Sequence, residues 1–146
     1  MIEVATTVAT VHMRRSALEA MLAHARATPA RECCGALLGA RGSDGRRVER
    51  VVPAPNADPD TRRAYLMDAA AIRRIERQAA AARLDVVGFY HSHPDGSVAP
   101  SSSDLEAAWP WFTYLIVGDA RAPAVSAWRL RADRTTFEPE ELEWVE

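Results

Sequence analysis

Apolar residues recur along the chain with two different periods, which together predict a mixture of helices and strands. Residues 14–27 place Leu18, Met21, Leu22 and Ala25 on one face, as is typical of an amphipathic helix. Shorter apolar runs bounded by Gly, Pro and Asp predict strands. The predicted strands cover residues 2–11, 34–40, 47–53, 85–93, 112–118 and 125–132, with an edge strand over 137–145, and the other predicted helices cover 68–83 and 102–109. The fold class is therefore α/β.

The connections between these segments carry residues that favour turns. Residues 41–45 contain two glycines and predict a hairpin turn. Residues 53–61 contain three prolines and three Asp or Asn residues, which predicts a loop whose position suits the rim of a cleft. With 146 residues, 48% of them hydrophobic, the chain is long enough to bury one core. We therefore predict a single domain over residues 1–146.

Charge and hydropathy narrow the classes of partner. The formal net charge of -2 gives no electrostatic attraction to nucleic acid. Residues 1–4 lack the basic and apolar regions of a signal peptide, and no apolar run approaches the length of about 18 residues that a membrane helix needs. We expect a cytoplasmic protein with no membrane partner. The oligomeric state stays open, because Trp109, Trp111 and Trp144 fit a core or an interface equally well.

Two histidines stand two residues apart at the end of a predicted buried strand. The apolar run 86–89 leads into His91 and His93, and a Pro-Asp-Gly turn follows. Side chains two apart on a strand face the same way, with roughly 7 Å between their Cα atoms, so one ion can accept both imidazole rings. Catalytic zinc sites use three protein ligands plus water, and a carboxylate oxygen can be the third ligand.

A hydroxyl and a carboxylate follow at the start of the next predicted helix. Ser101 stands at the cap and Asp104 in the first turn. Both residues also fit a purely structural role, in which Ser101 caps the helix and Asp104 completes a capping box. Their joint spacing favours the functional interpretation, since His91, His93 and Asp104 together supply the three ligands of an open zinc site.

The spacing H-x-H-P-x(6)-S-x-x-D resembles the motif of the JAMM (MPN-plus) metalloprotease family. The residues that form it here are His91, His93, Pro94, Ser101 and Asp104. They are preceded by a Glu-Cys-Cys-Gly segment at 32–35, in which Cys33 is an extra thiol beside the usual Cys-Gly. Weaker similarity in flanking segments extends the resemblance from about residue 13 to residue 125.

The resemblance implies the MPN fold, a curved mixed β-sheet flanked by helices and related to the cytidine-deaminase architecture. It implies that His91, His93 and Asp104 hold one Zn²⁺ per chain. Glu32 is then the general base, and Ser101 helps to bind the oxyanion. Apart from the resemblance, Glu32 is distinguished only by its place at the mouth of an apolar segment, and the alternative for it is a surface acid beside Arg31.

Other chemistries fit the sequence less well. A zinc deaminase would carry an H-x-E segment with a later P-C-x-x-C, and a zincin would carry an H-E-x-x-H helix; neither pattern is present. Cys33 and Cys34 are adjacent, so they are poor disulfide partners, and we expect both to be reduced and at least one to be buried. A cysteine nucleophile would lack an evident activating partner. A metal-free MPN scaffold would be expected to lack some of the ligands.

The length of the chain bears on the substrate. It leaves little room for the insertions of eukaryotic lysine-63-selective deubiquitinases, so the chain resembles the compact stand-alone prokaryotic members. The resemblance implies a zinc-dependent peptidase or isopeptidase that cleaves after the C-terminal Gly-Gly of a ubiquitin-like or sulfur-carrier protein. The alternative is an endopeptidase acting on cell-wall peptides, as in phage tails.

Overall fold

The computed structural model describes residues 9–43, 45–119, 122 and 124–146. In this part of the chain three helices are interspersed among seven strands. The strands are β1 (Thr10–Arg14), β2 (Cys34–Gly42), β3 (Gly45–Ala54), β4 (Asp85–Ser92), β5 (Thr113–Asp119), β6 (Ala124–Leu130) and β7 (Phe137–Val145), and the helices are α1 (Arg15–Ala27), α2 (Ala69–Ala82) and α3 (Ser102–Ala107). The predicted α/β class and the predicted order of elements are confirmed.

Local signals explain where several elements begin and end. α2 starts at Asp68, whose side chain accepts a hydrogen bond from the backbone N–H of Ala71, and it ends where Arg83 adopts a φ of 58°. The predicted loop is confirmed from residue 55 onward, because β3 continues to Ala54. Of the strand predicted over residues 2–11, residues 2–8 lie outside the described residues, and β1 begins at Thr10.

The seven strands form one mixed sheet in the order β1-β3-β2-β4-β5-β6-β7. The prediction of β7 as an edge strand is wrong. β7 pairs with β6, where Phe137 lies opposite Leu130, and also with β1, where Glu141 lies opposite Thr10. This second pairing closes the sheet into a ring. A local pattern does not reveal it, because β1 and β7 are separated by most of the sequence.

Helices cover the two faces of the sheet. The predicted apolar stripe of α1, formed by Leu18, Met21, Leu22 and Ala25, is buried in one cluster with strand residues that include Val48. α2 covers the opposite face with a narrow stripe of Ala71, Ile75 and Ala79. Each fully buried Leu, Ile or Met side chain contributes about 1.5–3 kcal/mol. None of the helices among the described residues is long and apolar enough to span a membrane.

β4 carries His91, leads directly into His93 and lies between β2 and β5. Gly88 lets β4 and β5 approach closely, because a Cβ at this position would lie 1.9 Å from the carbonyl oxygen of Thr113. Side chains alternate beyond Gly88, so Tyr90 joins the cluster under α1 while Phe89 and His91 face the other side of the sheet. The end of β4 therefore presents its imidazoles away from α1.

Candidate metal centre

His91 and His93 stand at the end of β4, where both side chains are buried. Their Nε2 atoms lie 3.1 Å apart, so the rings converge as the strand alternation predicted. The Nδ1 atom of His93 lies 3.0 Å from the carbonyl oxygen of Ser97, to which it must donate a hydrogen bond. In the neutral ring this leaves the lone pair on Nε2, which is the arrangement that binds a metal.

Asp104 reaches the same point from the start of α3. Its Oδ1 and Oδ2 atoms lie 3.1 Å from Nε2 of His91 and Nε2 of His93, respectively. The helix begins with a capping box: Ser101 Oγ accepts from the backbone N–H of Asp104, and Asp104 Oδ2 accepts from the backbone N–H of Ser101. The structural interpretation of this pair is confirmed, and the same capping box aims the carboxylate at the histidines.

The two Nε2 atoms thus lie 3.1 Å apart, and each lies 3.1 Å from a different oxygen of the Asp104 carboxylate. Two neutral imidazoles and a carboxylate offer too few protons at these atoms to bridge all three contacts, since His93 uses its proton on Ser97. In a tetrahedral zinc site with bonds of about 2.0 Å, ligand atoms lie about 3.3 Å apart. The spacing and the nitrogen and oxygen donor set therefore fit zinc.

Glu32 lies across from His93. β2 and β4 pair with Cys34 opposite His91, and the same register continued by two residues sets Glu32 opposite His93. Its carboxylate is buried, and one of its oxygens belongs to a group of four potential ligand atoms that all lie within 4.8 Å of one another. Burial raises the pKa of Glu32 to about 7. A carboxyl group that titrates near neutrality is suited to take up and release a proton.

The protonation of the ligand set follows from its surroundings. Burial lowers the pKa of His91 and so favours the neutral ring. Burial opposes the charged forms of Asp104 and His93, but their mutual attraction outweighs it, so the pKa of Asp104 lies below its usual range and that of His93 lies above it. Neutral imidazole and ionised carboxylate are the forms that bind metals. The ring of Tyr65 stacks on His91 with 4.6 Å between ring centroids and covers that side of the centre.

A cleft of about 600 Å³ opens onto Glu32, His93 and Ser101, with Arg62 and Arg63 along another wall. The Ser101 hydroxyl accepts a hydrogen bond from Asp104 and retains its proton as a donor. A second cleft of about 530 Å³ lies on the far side of the turn 93–96, and neither Glu32 nor Ser101 lines it. The first cleft is therefore the one that brings a base, a hydroxyl donor and the ligand set together.

The structure brings together all five residues singled out from the sequence, and it adds contacts that the sequence did not indicate. Tyr65 packs on His91, and the carbonyl oxygen of Ser97 orients His93. Tyr65 lies in a loop, where no periodic pattern indicates its partner, and a backbone carbonyl carries no signal in the sequence at all. The sequence covered the Tyr65 loop only through the weaker family similarity between about residues 13 and 125.

Cys33 and Cys34 are both free and both buried. Their side chains alternate as expected, since Cys33 lies in the cluster with α1 and Cys34 in the cluster with α2. Because a helix covers each face, both thiols are shielded, where the sequence predicted that at least one would be. Burial raises the pKa of the Cys34 thiol to about 12 and also raises that of Cys33. Thiols held protonated in this way are poor nucleophiles, which argues against a cysteine mechanism.

Comparison with known proteins shows the family. Residues 14–131 match the family described as prokaryotic homologs of the JAB domain, and the chain belongs to it. It is 40% identical over 105 residues to a desampylase of Haloferax volcanii, covering 68% of this chain and 74% of that protein. It is 33% identical over 108 residues to a probable TtuB-protein conjugate cleaving protease of Thermus thermophilus, covering 74% and 70%.

A third relative aligns over nearly the full sequence. The chain is 31% identical over 136 residues to a CysO-cysteine peptidase of Mycobacterium tuberculosis, covering 91% of each protein. The solution structure of protein DSY2949 from Desulfitobacterium hafniense superposes with a TM-score of 0.83 at 30% identity, covering 93% of each chain. The expected JAB-type fold and the expected class, a peptidase of the JAMM type, are confirmed.

Proposed function

We propose that this chain is a zinc-dependent peptidase or isopeptidase that cleaves after the C-terminal Gly-Gly of a ubiquitin-like or sulfur-carrier protein. Its relatives are named for acting on conjugates, as a desampylase, a TtuB-protein conjugate cleaving protease and a CysO-cysteine peptidase. The observation that carries the proposal is the convergence of His91, His93 and Asp104 at 3.1 Å beside the buried carboxylate of Glu32.

His91, His93 and Asp104 would hold a single zinc ion. When bound, zinc lowers the pKa of its water to about 7 and polarises a carbonyl. Glu32 accepts the proton of the attacking water and returns it to the nitrogen of the leaving amine. The raised pKa of Glu32, about 7, supports this role, because a base works best when its pKa lies near the working pH.

Ser101 would stabilise the negative oxygen of the tetrahedral intermediate. Its hydroxyl lines the same cleft as Glu32 and keeps a proton to donate. A single donor of this kind contributes on the order of 3 kcal/mol to the transition state. The capping box fixes the Ser101 backbone relative to Asp104, so the donor and one of the proposed ligands share the same helix start.

The proposed partner is a carrier protein, with no part for nucleic acid or a membrane, and the proposed place of action is the cytoplasm. The net charge of -2 gives no attraction to nucleic acid, and none of the helices among the described residues is long and apolar enough to span a membrane. Residues 1–146 are proposed to act as a single domain, since α1 and α2 pack on opposite faces of one closed sheet.

The test is mass spectrometry of ubiquitin-like carrier proteins that carry a short extension beyond their Gly-Gly end. The zinc-loaded protein is expected to trim the extension directly after the second glycine, and the chelated protein to leave it intact. Replacement of the last glycine by valine should cut the rate steeply, because a branched side chain next to the scissile carbonyl hinders the approach of the attacking water.

Two outcomes would contradict the proposal. Equal cleavage of the valine carrier would show that the site does not select Gly-Gly. Cleavage of cell-wall peptides with no effect on any carrier would favour the endopeptidase alternative. A matched carrier with the extension joined to a lysine side chain separates isopeptidase from peptidase activity.

A further inference from the structure

The loop between β3 and α2 holds the backbone of Glu32 from both sides. The N–H of Glu32 donates to the carbonyl oxygen of Thr61 at 2.6 Å. The carbonyl oxygen of Glu32 accepts from Nδ2 of Asn56 at 2.9 Å. These two bonds clamp both polar groups of the residue proposed as the base.

Asn56 uses all four of its side-chain hydrogen-bond positions on backbone groups. Nδ2 donates to the carbonyl oxygens of Glu32 and Ala64, both at 2.9 Å. Oδ1 accepts from the N–H groups of Asp58 at 3.0 Å and Leu66 at 3.1 Å. One amide group therefore joins both arms of the loop to the segment that carries Glu32.

Few hydrogen bonds fix the direction of the Glu32 side chain itself. Its Oε1 is buried without a hydrogen-bond partner among the described residues. The next residue is fixed to the neighbouring strand, because the N–H of Cys33 donates to Ser92 Oγ at 2.9 Å and the N–H of Ser92 donates to the carbonyl oxygen of Cys33. The direction of the Glu32 carboxylate thus depends on the backbone bonds made by Asn56 and Thr61.

We propose that Asn56 is a positioning residue, which fixes the Glu32 carboxylate beside the metal ligands by clamping its backbone through the loop at 56–66. This inference rests on the proposed role of Glu32 as the base. Asn56 touches neither the ligand atoms nor the proposed reacting atoms, so its effect passes through Glu32. A base displaced by about 1 Å can cost about a hundredfold in rate.

The test compares Asn56→Asp and Asn56→Ala with Asp60→Ala as the matched control. Asn56→Asp keeps both acceptor bonds but loses the two donated ones, whereas Asn56→Ala loses all four. Asp60→Ala removes a side-chain bond to the N–H of Arg62 and an exposed 3.9 Å ion pair with Arg63 in the same loop, and it leaves the backbone bonds of Glu32 in place. Each change is also made in the Glu32→Gln background.

Both Asn56 variants are expected to lower kcat on a Gly-Gly carrier by about tenfold to a hundredfold, with KM and zinc content nearly unchanged. Asp60→Ala should stay within about twofold of the unmodified protein. In the Glu32→Gln background the Asn56 changes should cost less than about twofold, because the base they position is already gone. A full additional loss in that background would overturn the inference.

A second readout needs neither substrate nor metal. In the metal-free protein, amide hydrogen exchange at Glu32 should become at least about tenfold faster in both Asn56 variants and stay unchanged in Asp60→Ala. Unchanged protection of the Glu32 amide in both variants would also overturn the inference. Failure of the unmodified protein to cleave any carrier would instead contradict the proposed function, while the exchange result would still decide whether Asn56 clamps Glu32.

Discussion

Two buried polar clusters lie at opposite ends of the sheet, and they are built on different principles. The near cluster is formed by the candidate ligands His91, His93 and Asp104 at the end of β4. The second cluster, the far cluster, lies at the other end. In it, Arg46 Nη1 donates to Thr113 Oγ1, which donates to Glu140 Oε1, both at 2.8 Å.

The difference between them is complementarity rather than burial. Both clusters contain buried polar atoms without a hydrogen-bond partner, such as His91 Nδ1 and Arg46 Nε, so that property does not distinguish them. In the far cluster, Glu140 faces the opposite charges of Arg46 at 3.8 Å and Arg129 at 3.3 Å. In the near cluster, lone pairs face one another, and a cation would complete them. We therefore expect changes at the near cluster to alter chemistry and changes at the far cluster to alter stability.

The largest effect is expected from removing a zinc ligand. His93→Ala and Asp104→Ala should each abolish the binding of about one zinc ion per chain and, with it, measurable turnover. Elemental analysis of freshly purified protein measures the metal directly. Asp95→Asn, which changes an exposed acid in the same turn but keeps its hydrogen-bond acceptor, should retain zinc. Full zinc content in both ligand variants would show that the ligand assignment is wrong.

Glu32→Gln should separate the base from the ligands. Glutamine keeps the size of the side chain but cannot take up the proton, so we expect zinc to remain while kcat falls by about 10² to 10⁴. Glu106→Gln, an exposed acid on α3, serves as the control and should behave like the unmodified protein. Loss of zinc in Glu32→Gln, or normal turnover, would contradict the role as base.

Arg46→Met should lower stability and leave activity unchanged, which is the reverse of the result expected for Glu32→Gln. It leaves Glu140 buried with only Arg129 as its charged partner, so the free energy of unfolding should fall by about 3 kcal/mol, measured by denaturant titration. Activity per folded molecule should not change. Arg47→Met is the matched control, because Arg47 is exposed and pairs with Glu49 at the surface, where an ion pair contributes less than about 1 kcal/mol. Equal decreases in the free energy of unfolding of the two variants would contradict the stabilising role of the far cluster.

The smallest effect is expected at Ser101. Ser101→Ala should lower kcat by about a hundredfold and keep zinc, because it removes one donor to the oxyanion. It also removes a helix cap, which costs about 1 kcal/mol of stability. Ser101→Asp restores the cap acceptor without the hydroxyl proton, so it should regain thermal stability but not rate. Recovery of rate in Ser101→Asp would assign the loss to the helix start instead.

The sequence was enough to predict where the candidate ligands lie, but not their surroundings. His91 ends a strand, His93 follows it two residues on and Asp104 occupies a helix start, so short-range rules place all three. Glu32 lies 59 residues before His91, and only the pairing of Cys34 with His91 brings it to the site. No rule of local pattern gives that register, and only the family resemblance identified Glu32.

Contacts between residues far apart in the sequence account for the other differences between the predicted and the observed structure. The predicted strand that began at residue 47 omitted Arg46, because a buried arginine is improbable until its partners on β5 and β7 are known. The ring closure by β7 depends on pairing with β1, which no short segment encodes. Asn56 was correctly predicted to lie in a loop, but its four bonds connect segments that the sequence separates.

The closing strand also sets an order of events during synthesis. The last metal-ligand candidate, Asp104, is translated well before β7, which fills the gap between β6 and β1. Until β7 emerges, a nascent chain that has formed the rest of the sheet exposes two unpaired strand edges, which are sites of intermolecular association. All the proposed site residues can therefore emerge before the ring closes, and the two edges stay available for intermolecular pairing until β7 is added.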